Sequence, residues 1–384
     1  MKEIDAIVVG VGAVGAATLE VLARRGARVL GIERFDPGHD RGSSHGLSRA
    51  IRLAYFEHPD YVPLLRRALA RWEELDREGG EPLYRATGIL EAGPAQGELV
   101  AGVRRAAEEH DLAVEELDPA ALARRFPAFR LPPESAALYE ARAGWLAPEA
   151  GVRRFVKRAL DAGAELEIDT AVDGWMAEEG GFVVRAVGRR WHARRLILTQ
   201  GAWSGRLVQE LGLPLEVVRK VQLWYRPTTR DFLPPAQPGA PGFVPWAVET
   251  PSGQVFYGFP EVDERGVKIA EHSGGEAGVD PFRVDRELRD SDRAPVEAFA
   301  REHLPVLSDE CTAHEVCLYT RTPDGHFVLD RHPEHPGLAY ACGLSGHGFK
   351  LAPVLGEALA DLALEGGTEL PVDFLSAARF AADA

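Results

Sequence analysis

Hydrophobic positions in the first 33 residues are concentrated in two short runs, separated by a segment in which they are spaced at helical intervals. The runs over residues 4–9 and 28–32 predict buried strands, and the spaced segment between them predicts a helix. The second strand ends on Glu33. The turn before the helix contains three glycines, which are Gly10, Gly12 and Gly15. This order of elements predicts a strand–helix–strand unit.

The glycine turn has the spacing that binds the pyrophosphate of a dinucleotide. Gly10 allows a tight turn, Gly12 lets the backbone approach the pyrophosphate, and Gly15 lets the helix pack against the strand. The helix N-terminus offers free N–H groups and positive dipole charge to the phosphates. Glu33 is placed to accept hydrogen bonds from a ribose. The segment therefore predicts a bound dinucleotide, and the alternative is a glycine-rich turn in an ordinary α/β sheet.

The rest of the pattern predicts further helices and strands. Helical spacing covers residues 61–75, 153–162 and 351–364, and strand-like runs cover residues 88–92, 165–168, 182–186, 191–199 and 338–342. The stretch 221–258, rich in proline and aromatic residues, predicts a separate antiparallel sheet. The last strand runs into a second glycine loop, 343–348, which can bring backbone N–H groups against a ligand.

This order predicts an α/β fold with two domains, α+β in arrangement. The predicted Rossmann-like nucleotide-binding domain is discontinuous and consists of residues 1–85, 146–218 and 322–384. The predicted substrate domain is inserted in it, is built on an antiparallel sheet, and consists of residues 86–145 and 219–321. A chain of 384 residues is long enough for two such cores.

Composition and charge restrict the partners. The net charge of −15 argues against nucleic acid or an anionic membrane, because both select basic surfaces. No apolar stretch is long enough to span a bilayer, and Met1-Lys2-Glu3-Ile4 runs directly into the first strand without a signal peptide. We therefore expect a cytoplasmic protein. The three cysteines, Cys311, Cys317 and Cys342, have neither disulfide nor metal-site spacing, so no metal is expected.

Three strand-like segments place unusual side chains on one face by the period-two rule. Lys268 shares a face with His272, Tyr257 with Phe259, and Cys317 with Tyr319. Each pair is equally compatible with an exposed strand face. Lysine occurs at only five positions, which are Lys2, Lys157, Lys220, Lys268 and Lys350, whereas arginine is the common cation. The rarity of lysine favours a specific use of its compact charge at Lys268 and Lys350.

Two arginines follow a Gly/Ser/His-rich loop that contains His45. Arg49 and Arg52 lie three apart, which places both on one face if the segment is helical. Two guanidinium groups near a cofactor suit the recognition of an anion, because the planar fork matches a carboxylate. The alternative is solvated surface charge, which is common in an arginine-rich chain.

Together, these motifs resemble those of a flavoenzyme family, that of monomeric sarcosine oxidase and N-methyl-tryptophan oxidase, in the glutathione-reductase-like FAD group. The likeness covers nearly the whole chain. It rests on residues 8–15, the loop 42–46 with its continuation to Arg52, and the segments 257–260, 317–320, 330–335 and 343–350. The later segments are far more specific than the glycine turn.

The resemblance implies FAD as the cofactor, bonded covalently to the sulfur of Cys317. From the residues alone, Cys317 could equally be a small buried hydrophobic side chain. The resemblance also implies a set of residues that contact the cofactor: Gly10, Gly12, Gly15, Glu33, Arg34, Ser44, Arg49, Val172, Gly201, Trp203, Gly346, Gly348, Phe349 and Lys350.

For the substrate, the resemblance implies that Arg52 and Lys350 bind its carboxylate. Lys268 is implied beside the flavin, where it would stabilise charge during the reaction with O₂. The other residues implied near the ring or the substrate are His45, Arg49, Tyr257, His272 and Tyr319. The implied reaction is oxidative demethylation of sarcosine to glycine and formaldehyde by a monomer, with O₂ reduced to H₂O₂.

Other functions remain open on the sequence. Carboxylate recognition would look alike in an oxidase of N-methyl-tryptophan, glycine, a D-amino acid, proline or pipecolate. A flavin dehydrogenase with a different electron acceptor, a non-catalytic flavin-binding protein and an NAD-linked dehydrogenase are further alternatives. The presence of Lys268 favours oxygen as the acceptor.

Overall fold

The computed structural model describes residues 4–237 and 239–383. Met1 to Glu3, on which the expectation of a direct start into the first strand depends, lie outside the described residues. The α-helices of the described part are α1 (Ala13–Arg24), α2 (Tyr61–Arg77), α3 (Glu98–His110), α4 (Pro119–Arg125), α5 (Pro148–Asp161), α6 (Gly205–Glu210), α7 (Asp290–His303) and α8 (Ala352–Leu364).

The strands fall into three sheets. In chain order they are β1 (Ile4–Val9), β2 (Val29–Ile32), β3 (Arg49–Ile51), β4 (Tyr84–Arg85), β5 (Ile89–Pro94), β6 (Glu115–Leu117), β7 (Ser135–Glu140), β8 (Gly144–Leu146), β9 (Glu165–Glu167), β10 (Val172–Glu178), β11 (Gly181–Ala186), β12 (Arg189–Leu198), β13 (Glu216–Pro227), β14 (Trp246–Glu249), β15 (Val255–Phe259), β16 (Val267–Glu271), β17 (Glu276–Ala277), β18 (Leu307–Arg321), β19 (Val328–Arg331) and β20 (Leu338–Cys342).

The first sheet has eight strands and carries the predicted dinucleotide-binding elements. Strands β20, β12, β1, β2 and β9 follow one another as parallel neighbours. Strand β19 pairs antiparallel with β20, and the hairpin β10–β11 joins the amino-terminal half of β12. The middle strands are buried, as expected for a parallel sheet that is covered on both faces. Helix α1 packs against α5 and against α8, and all three contribute to the largest hydrophobic core.

The second sheet has nine strands and its own hydrophobic core. Its order is β17-β13-β16-β15-β14-β5-β7-β6, with β18 along the other side of β13. Helix α7 covers it, and the ring of Phe299 stacks on Trp246 and Phe256 with centroids 5.4 and 4.4 Å apart. The prediction of a purely antiparallel sheet needs one correction. Strands β5 and β14 are parallel neighbours, because β5 comes from a distant segment of the chain.

A small third sheet, in the order β3-β8-β4, contains Arg49. Arg49 and Arg52 would share a face only if the segment were helical, and it is not, because Arg49 begins strand β3 and Arg52 directly follows that strand. A strand forms here because β3 pairs antiparallel with β8.

The element bounds differ from the predicted bounds in a few places. Helix α5 begins at Pro148, five residues before the predicted start, because proline is accommodated in the first helical turn. The strand predicted over residues 338–342 has the predicted bounds. The predicted domain borders at 145/146 and 218/219 lie within β8 and β13, respectively. The mixed α/β architecture with two main sheets is the predicted fold class.

Candidate active site

The glycine turn has the close packing that its sequence predicts. The backbone of Gly10 has a φ of +87°, and a Cβ atom added there would lie 2.7 Å from the carbonyl oxygen of Thr199. A Cβ atom at Gly15 would lie 1.9 Å from the carbonyl oxygen of Gly10. A Cβ atom at Gly12 would instead meet only the Ser44 Oγ atom, 3.9 Å away. Gly10 and Gly15 therefore allow tight packing, whereas Gly12 leaves open space in front of the helix.

Glu33 holds the glycine turn in place. One carboxylate oxygen accepts a hydrogen bond from the N–H of Val11 at 2.6 Å, and the other accepts one from the N–H of Phe35 at 3.0 Å. Burial raises the pKa of Glu33, although these backbone hydrogen bonds act in the opposite direction. The carboxylate thus connects the end of β2 to the turn, beside the position predicted for a ribose.

An open cleft of about 1490 Å³ runs along the carboxyl ends of the first sheet's parallel strands. We call it the first cavity. Twelve of the residues predicted to contact a cofactor line it: Gly10, Gly12, Glu33, Arg34, Ser44, Arg49, Val172, Gly201, Trp203, Gly346, Gly348 and Phe349. Gly15 instead packs the helix against the turn, and Lys350 lines a neighbouring cavity. The cleft lies where open α/β sheets bind nucleotides.

The neighbouring, second cavity has a volume of about 750 Å³. Arg49, Tyr319, Gly346 and Phe349 line both cavities, so the two spaces adjoin. The second cavity brings together six of the eight residues predicted near the ring or the substrate: Arg49, Arg52, Tyr257, His272, Tyr319 and Lys350. His45 and Lys268 do not line it. Sequence reasoning missed the polar lining residues Glu57 and Gln222.

Arg52 lies between two buried carboxylates. Its Nη2 atom is 2.7 Å from Glu57 Oε2, and its Nε atom is 2.9 Å from Glu91 Oε1 without the alignment of a hydrogen bond. Burial raises the pKa of Glu91 to about 8. Burial also acts to raise the pKa of Glu57, but the charge of Arg52 outweighs it and lowers that pKa to about 2. The guanidinium is therefore paired with one carboxylate and lies beside a second carboxyl group that is mostly protonated at neutral pH.

Lys350 is the second cation of the second cavity. Its Nζ atom donates hydrogen bonds to the carbonyl oxygen of His347 at 2.8 Å and to the Tyr55 hydroxyl at 3.3 Å. Burial, and then the charge of Arg52, lower the pKa of Lys350 to about 7. An anion in the cavity would stabilise the protonated form of this amine.

Aromatic side chains form another part of the wall. The Tyr319 hydroxyl and His272 Nδ1 are 3.4 Å apart, and the Tyr257 ring lies edge-on to the Phe259 ring. Burial, and then the charge of Lys220, lower the pKa of His272 to about 3, so this imidazole is neutral at pH 7. The wall therefore combines apolar rings with neutral hydrogen-bonding groups.

Lys268 is buried, but it is not among the residues that line the two cavities. Its Nζ atom donates hydrogen bonds to the carbonyl oxygens of Gly46 and Ser48, both at 2.8 Å, and lies 4.4 Å from the centroid of the Phe259 ring. Burial, and then the charge of Arg49, lower the pKa of Lys268 well below its ordinary value. The amine is fixed behind the loop that carries Arg49.

Cys317 lies behind the cavity lining, among basic groups. Its sulfur is 3.8 Å from Arg49 Nη2. Burial by itself raises the pKa of the thiol, but the interaction with His45 and the charge of Arg49 lower it below its ordinary value. His45 is in turn held by Glu315, whose Oε2 atom lies 2.6 Å from His45 Nδ1. Although burial lowers it, these contacts raise the pKa of His45 to about 9, so that the imidazole is charged.

Comparison with known proteins identifies the family. A family model described as FAD dependent oxidoreductase matches residues 5–362. The chain belongs to this family. A monomeric sarcosine oxidase from Streptomyces avermitilis is 38% identical over 381 residues, covering 98% of each chain. An N-methyl-L-tryptophan oxidase from Salmonella arizonae is 36% identical over 366 residues, covering 94% of this chain and 95% of the relative. The solved structure of NikD, an unusual amino acid oxidase, has a TM-score of 0.83 at 24% identity and covers 98% of both chains.

The first cavity of this FAD-dependent oxidoreductase fits the cofactor. Helix α1 begins at the cleft with no side-chain cap and no acidic residue in its first turn, so its N–H groups face the open space at Gly12. This is the arrangement that holds a pyrophosphate. Arg49 provides a cation where the two cavities meet.

Among the helices in the described ranges, none is long and apolar enough to cross a membrane.

Proposed function

We propose that this FAD-dependent oxidoreductase is an oxidase of small N-methyl amino acids, with sarcosine as the first candidate substrate. Its products would be glycine, formaldehyde and H₂O₂. The observation that carries the proposal is that two basic side chains, Arg52 and Lys350, line the same cavity and that this cavity adjoins the cofactor cleft. Two cations in a small, partly aromatic cavity suit a ligand that has one carboxylate and a short apolar body.

In the proposed complex, Arg52 and Lys350 bind the substrate carboxylate. Glu57 now occupies one side of the Arg52 guanidinium, at 2.7 Å, so the substrate has to replace this interaction. Lys350 has a pKa of about 7 without an anion, and the substrate carboxylate would favour its charged form. Fixing the carboxylate orients the N-methyl group toward the adjoining cleft.

The substrate amine has to be neutral before its C–H bond can be broken. Burial in the second cavity and the positive charges of Arg49, Arg52 and Lys350 all lower the pKa of a bound amine. The uncharged His272 is available as a hydrogen-bonding partner without adding charge. When bound, FAD would supply the two-electron acceptor for the substrate and the route of those electrons to O₂.

We further propose that Cys317 carries the covalent bond to the flavin. A thiolate is the nucleophilic form of cysteine, and Arg49 and the charged His45 favour that form. Lys268 is proposed to assist the reaction with O₂ from behind the loop of Gly46 and Ser48. Negative charge that develops nearby would raise the lowered pKa of Lys268 and favour its cationic form.

A bulkier N-methyl amino acid is the second candidate substrate. Phe56, Ile89 and Trp246 also line the second cavity, and they provide apolar surface beside the two cations. A side chain as large as an indole could contact that surface. The relatives named as N-methyl-L-tryptophan oxidases support this alternative.

An oxygen-electrode screen of secondary and primary amino acids, with H₂O₂ measured in parallel, tests the proposal. We expect sarcosine or another N-methyl amino acid to give the highest kcat/KM, with equal O₂ consumption and H₂O₂ production. Preference for a primary amino acid, or for proline, would reject the proposed substrate class. Reduction of the flavin by sarcosine without O₂ consumption would reject the oxidase and favour a dehydrogenase.

A further inference from the structure

Three side chains with metal-binding donors meet at the edge of the first sheet that is opposite the first cavity. Glu210 is the last residue of α6, and His332 and His335 lie in the loop between β19 and β20. One ligand atom of each lies within 4.8 Å of the others. Strand β20 leads away from this loop and reaches the first cavity at its other end, where Ala341 and Cys342 line it. The cluster is therefore separate from the flavin site.

His332 is the buried member of the cluster. Its side chain is 2% exposed, and its Nε2 atom has no hydrogen-bond partner although Glu210 Oε1 is 3.7 Å away. An unpaired buried polar atom is costly, and such atoms are uncommon in folded proteins.

The two histidines are held in place by packing. Their rings stack with centroids 4.6 Å apart, and the edge of the Trp175 ring system contacts both. Two backbone hydrogen bonds close the loop. The N–H of His332 donates to the carbonyl oxygen of Leu338 at 2.9 Å, and the N–H of Leu338 donates to the carbonyl oxygen of His335 at 2.8 Å. Two imidazoles are thus preorganised next to a carboxylate that is partly exposed and free to adjust.

We propose that Glu210, His332 and His335 bind a divalent transition-metal ion of the Zn²⁺ type, with a water molecule at the remaining position. Two imidazoles and one carboxylate are a donor set that suits such ions. Ligand atoms around tetrahedral Zn²⁺ lie about 3.4 Å apart, so the 3.7 Å separation of His332 and Glu210 needs little adjustment. When the metal binds Nε2 of His332, the ring proton lies on Nδ1. The Nδ1 atom then no longer accepts the 3.2 Å hydrogen bond from the N–H of Glu334.

The cysteine spacing in the sequence does not indicate a zinc site. The three proposed ligands, two histidines and one glutamate, are brought together only by the fold. A metal here would connect helix α6 to the loop that precedes β20. We therefore expect it to stabilise the folded chain without taking part in the flavin chemistry.

Equilibrium dialysis of the purified holoenzyme tests the site. The protein is stripped with a chelator, dialysed against micromolar Zn²⁺ at neutral pH, and analysed for bound metal by mass spectrometry. We expect about one tightly bound Zn²⁺ per chain of the parent protein. The affinity for Zn²⁺ should fall about tenfold or more in His335→Ala and in Glu210→Gln, because the loss of a group that only supports a metal ligand already lowers metal affinity by about that factor. His192→Ala, which removes an exposed histidine from β12, is the matched control and should bind Zn²⁺ like the parent.

The thermal midpoint gives a second, independent result. Zn²⁺ should raise the midpoint of the parent and of His192→Ala, and it should raise those of His335→Ala and Glu210→Gln much less. Equal zinc content in all four proteins would overturn the proposal, as would the absence of tight binding to the parent. These variants retain the buried His332, so its packing against Trp175 is preserved.

Discussion

Glu57 occupies the face of Arg52 to which the substrate carboxylate is proposed to bind. Their side chains form a 2.7 Å ion pair, and both line the second cavity. The other carboxyl group at Arg52, that of Glu91, is 2% exposed, whereas that of Glu57 is 14% exposed. Glu57 is therefore the neighbour that an incoming anion can displace.

This arrangement predicts that Glu57→Gln binds carboxylates more tightly. The neutral amide competes less with a ligand for the guanidinium, and we expect affinity for acetate to rise about tenfold, equivalent to about 1.4 kcal/mol. The change in the flavin absorption spectrum during a titration with acetate measures this affinity. Glu57→Asp, which keeps the charge, is the control. Weaker acetate binding in Glu57→Gln would mean that Glu57 supports the site rather than competing for it.

Removal of the guanidinium has the opposite effect. In Arg52→Met the carboxylate loses its main cationic partner, and we expect acetate binding to weaken about 100-fold, as for other truncated charge pairs. The KM for sarcosine should rise, whereas a secondary amine without a carboxylate should be affected little. Unchanged acetate binding would reject the proposed pairing.

The two carboxyl groups at Arg52 predict opposite pH effects on stability. The pKa of Glu91 is raised to about 8, so its contribution to the free energy of unfolding is fully present below about pH 4.5 and is lost as the pH rises to 8. The thermal midpoint of Glu91→Gln should therefore increase relative to the parent between pH 5 and pH 8. The pKa of Glu57 is lowered to about 2, so its contribution is lost only as the pH falls from about 4.5 toward 2.

Glu57→Asp, which keeps the charge that acts on Glu91 and Lys350, is consequently the control for this experiment. Its midpoint should differ from that of the parent by a constant amount between pH 5 and pH 8. Parallel pH profiles for Glu91→Gln and the parent would show that Glu91 does not take up its proton in the folded protein.

The covalent tether predicts a simple colour test. Acid-precipitated parent protein should stay yellow, and Cys317→Ala should release its flavin into the supernatant. Cys311→Ala is the control, because Cys311 lies on the same strand β18 but burial raises the pKa of its thiol, whereas His45 and Arg49 lower the pKa of Cys317. A white pellet from the parent protein would exclude a bond between Cys317 and the flavin.

The role proposed for Lys268 predicts that its removal affects the two half-reactions differently. In Lys268→Met, stopped-flow reoxidation by O₂ should slow about 100-fold, the typical effect of removing one preorganised charge-stabilising group. Anaerobic reduction by substrate should change much less. Lys157→Met is the control, since Lys157 lies on helix α5 and pairs with Asp161 at the surface. Equal slowing of both half-reactions in Lys268→Met would refute the assigned role.

Local patterns predicted much of the fold because they depend on neighbouring residues only. The strand–glycine–helix unit and the strand 338–342 were predictable from apolar runs and glycine spacing. The period-two rule also placed Tyr257 on the same strand face as Phe259, and their rings are in edge-on contact. The roles assigned to these side chains remain predictions.

The acidic partners in the site could not be predicted in this way. Glu315 is far from His45 in the sequence, and only the folded chain brings the two together. Glu57 is only five residues from Arg52, but both lie in the irregular segment between β3 and α2, where no helix or strand period relates them. Glu91 did leave a signal, since it interrupts an apolar run in β5. The strand at Arg49 was missed because pairing with β8, rather than local spacing, determines its conformation.

The long β13–β18 ribbon has a consequence for engineering. Its strands remain paired from Glu216 with Arg321 to Pro227 with Leu307, and β18 carries both Cys317 and Tyr319. A chimera joined between residues 218 and 219 would take the first three residues of β13 from one parent and the rest of the ribbon from the other. Grafts meant to alter specificity should instead transplant residues 216–321 as one block, so that the thiol and the pocket wall keep their own framework.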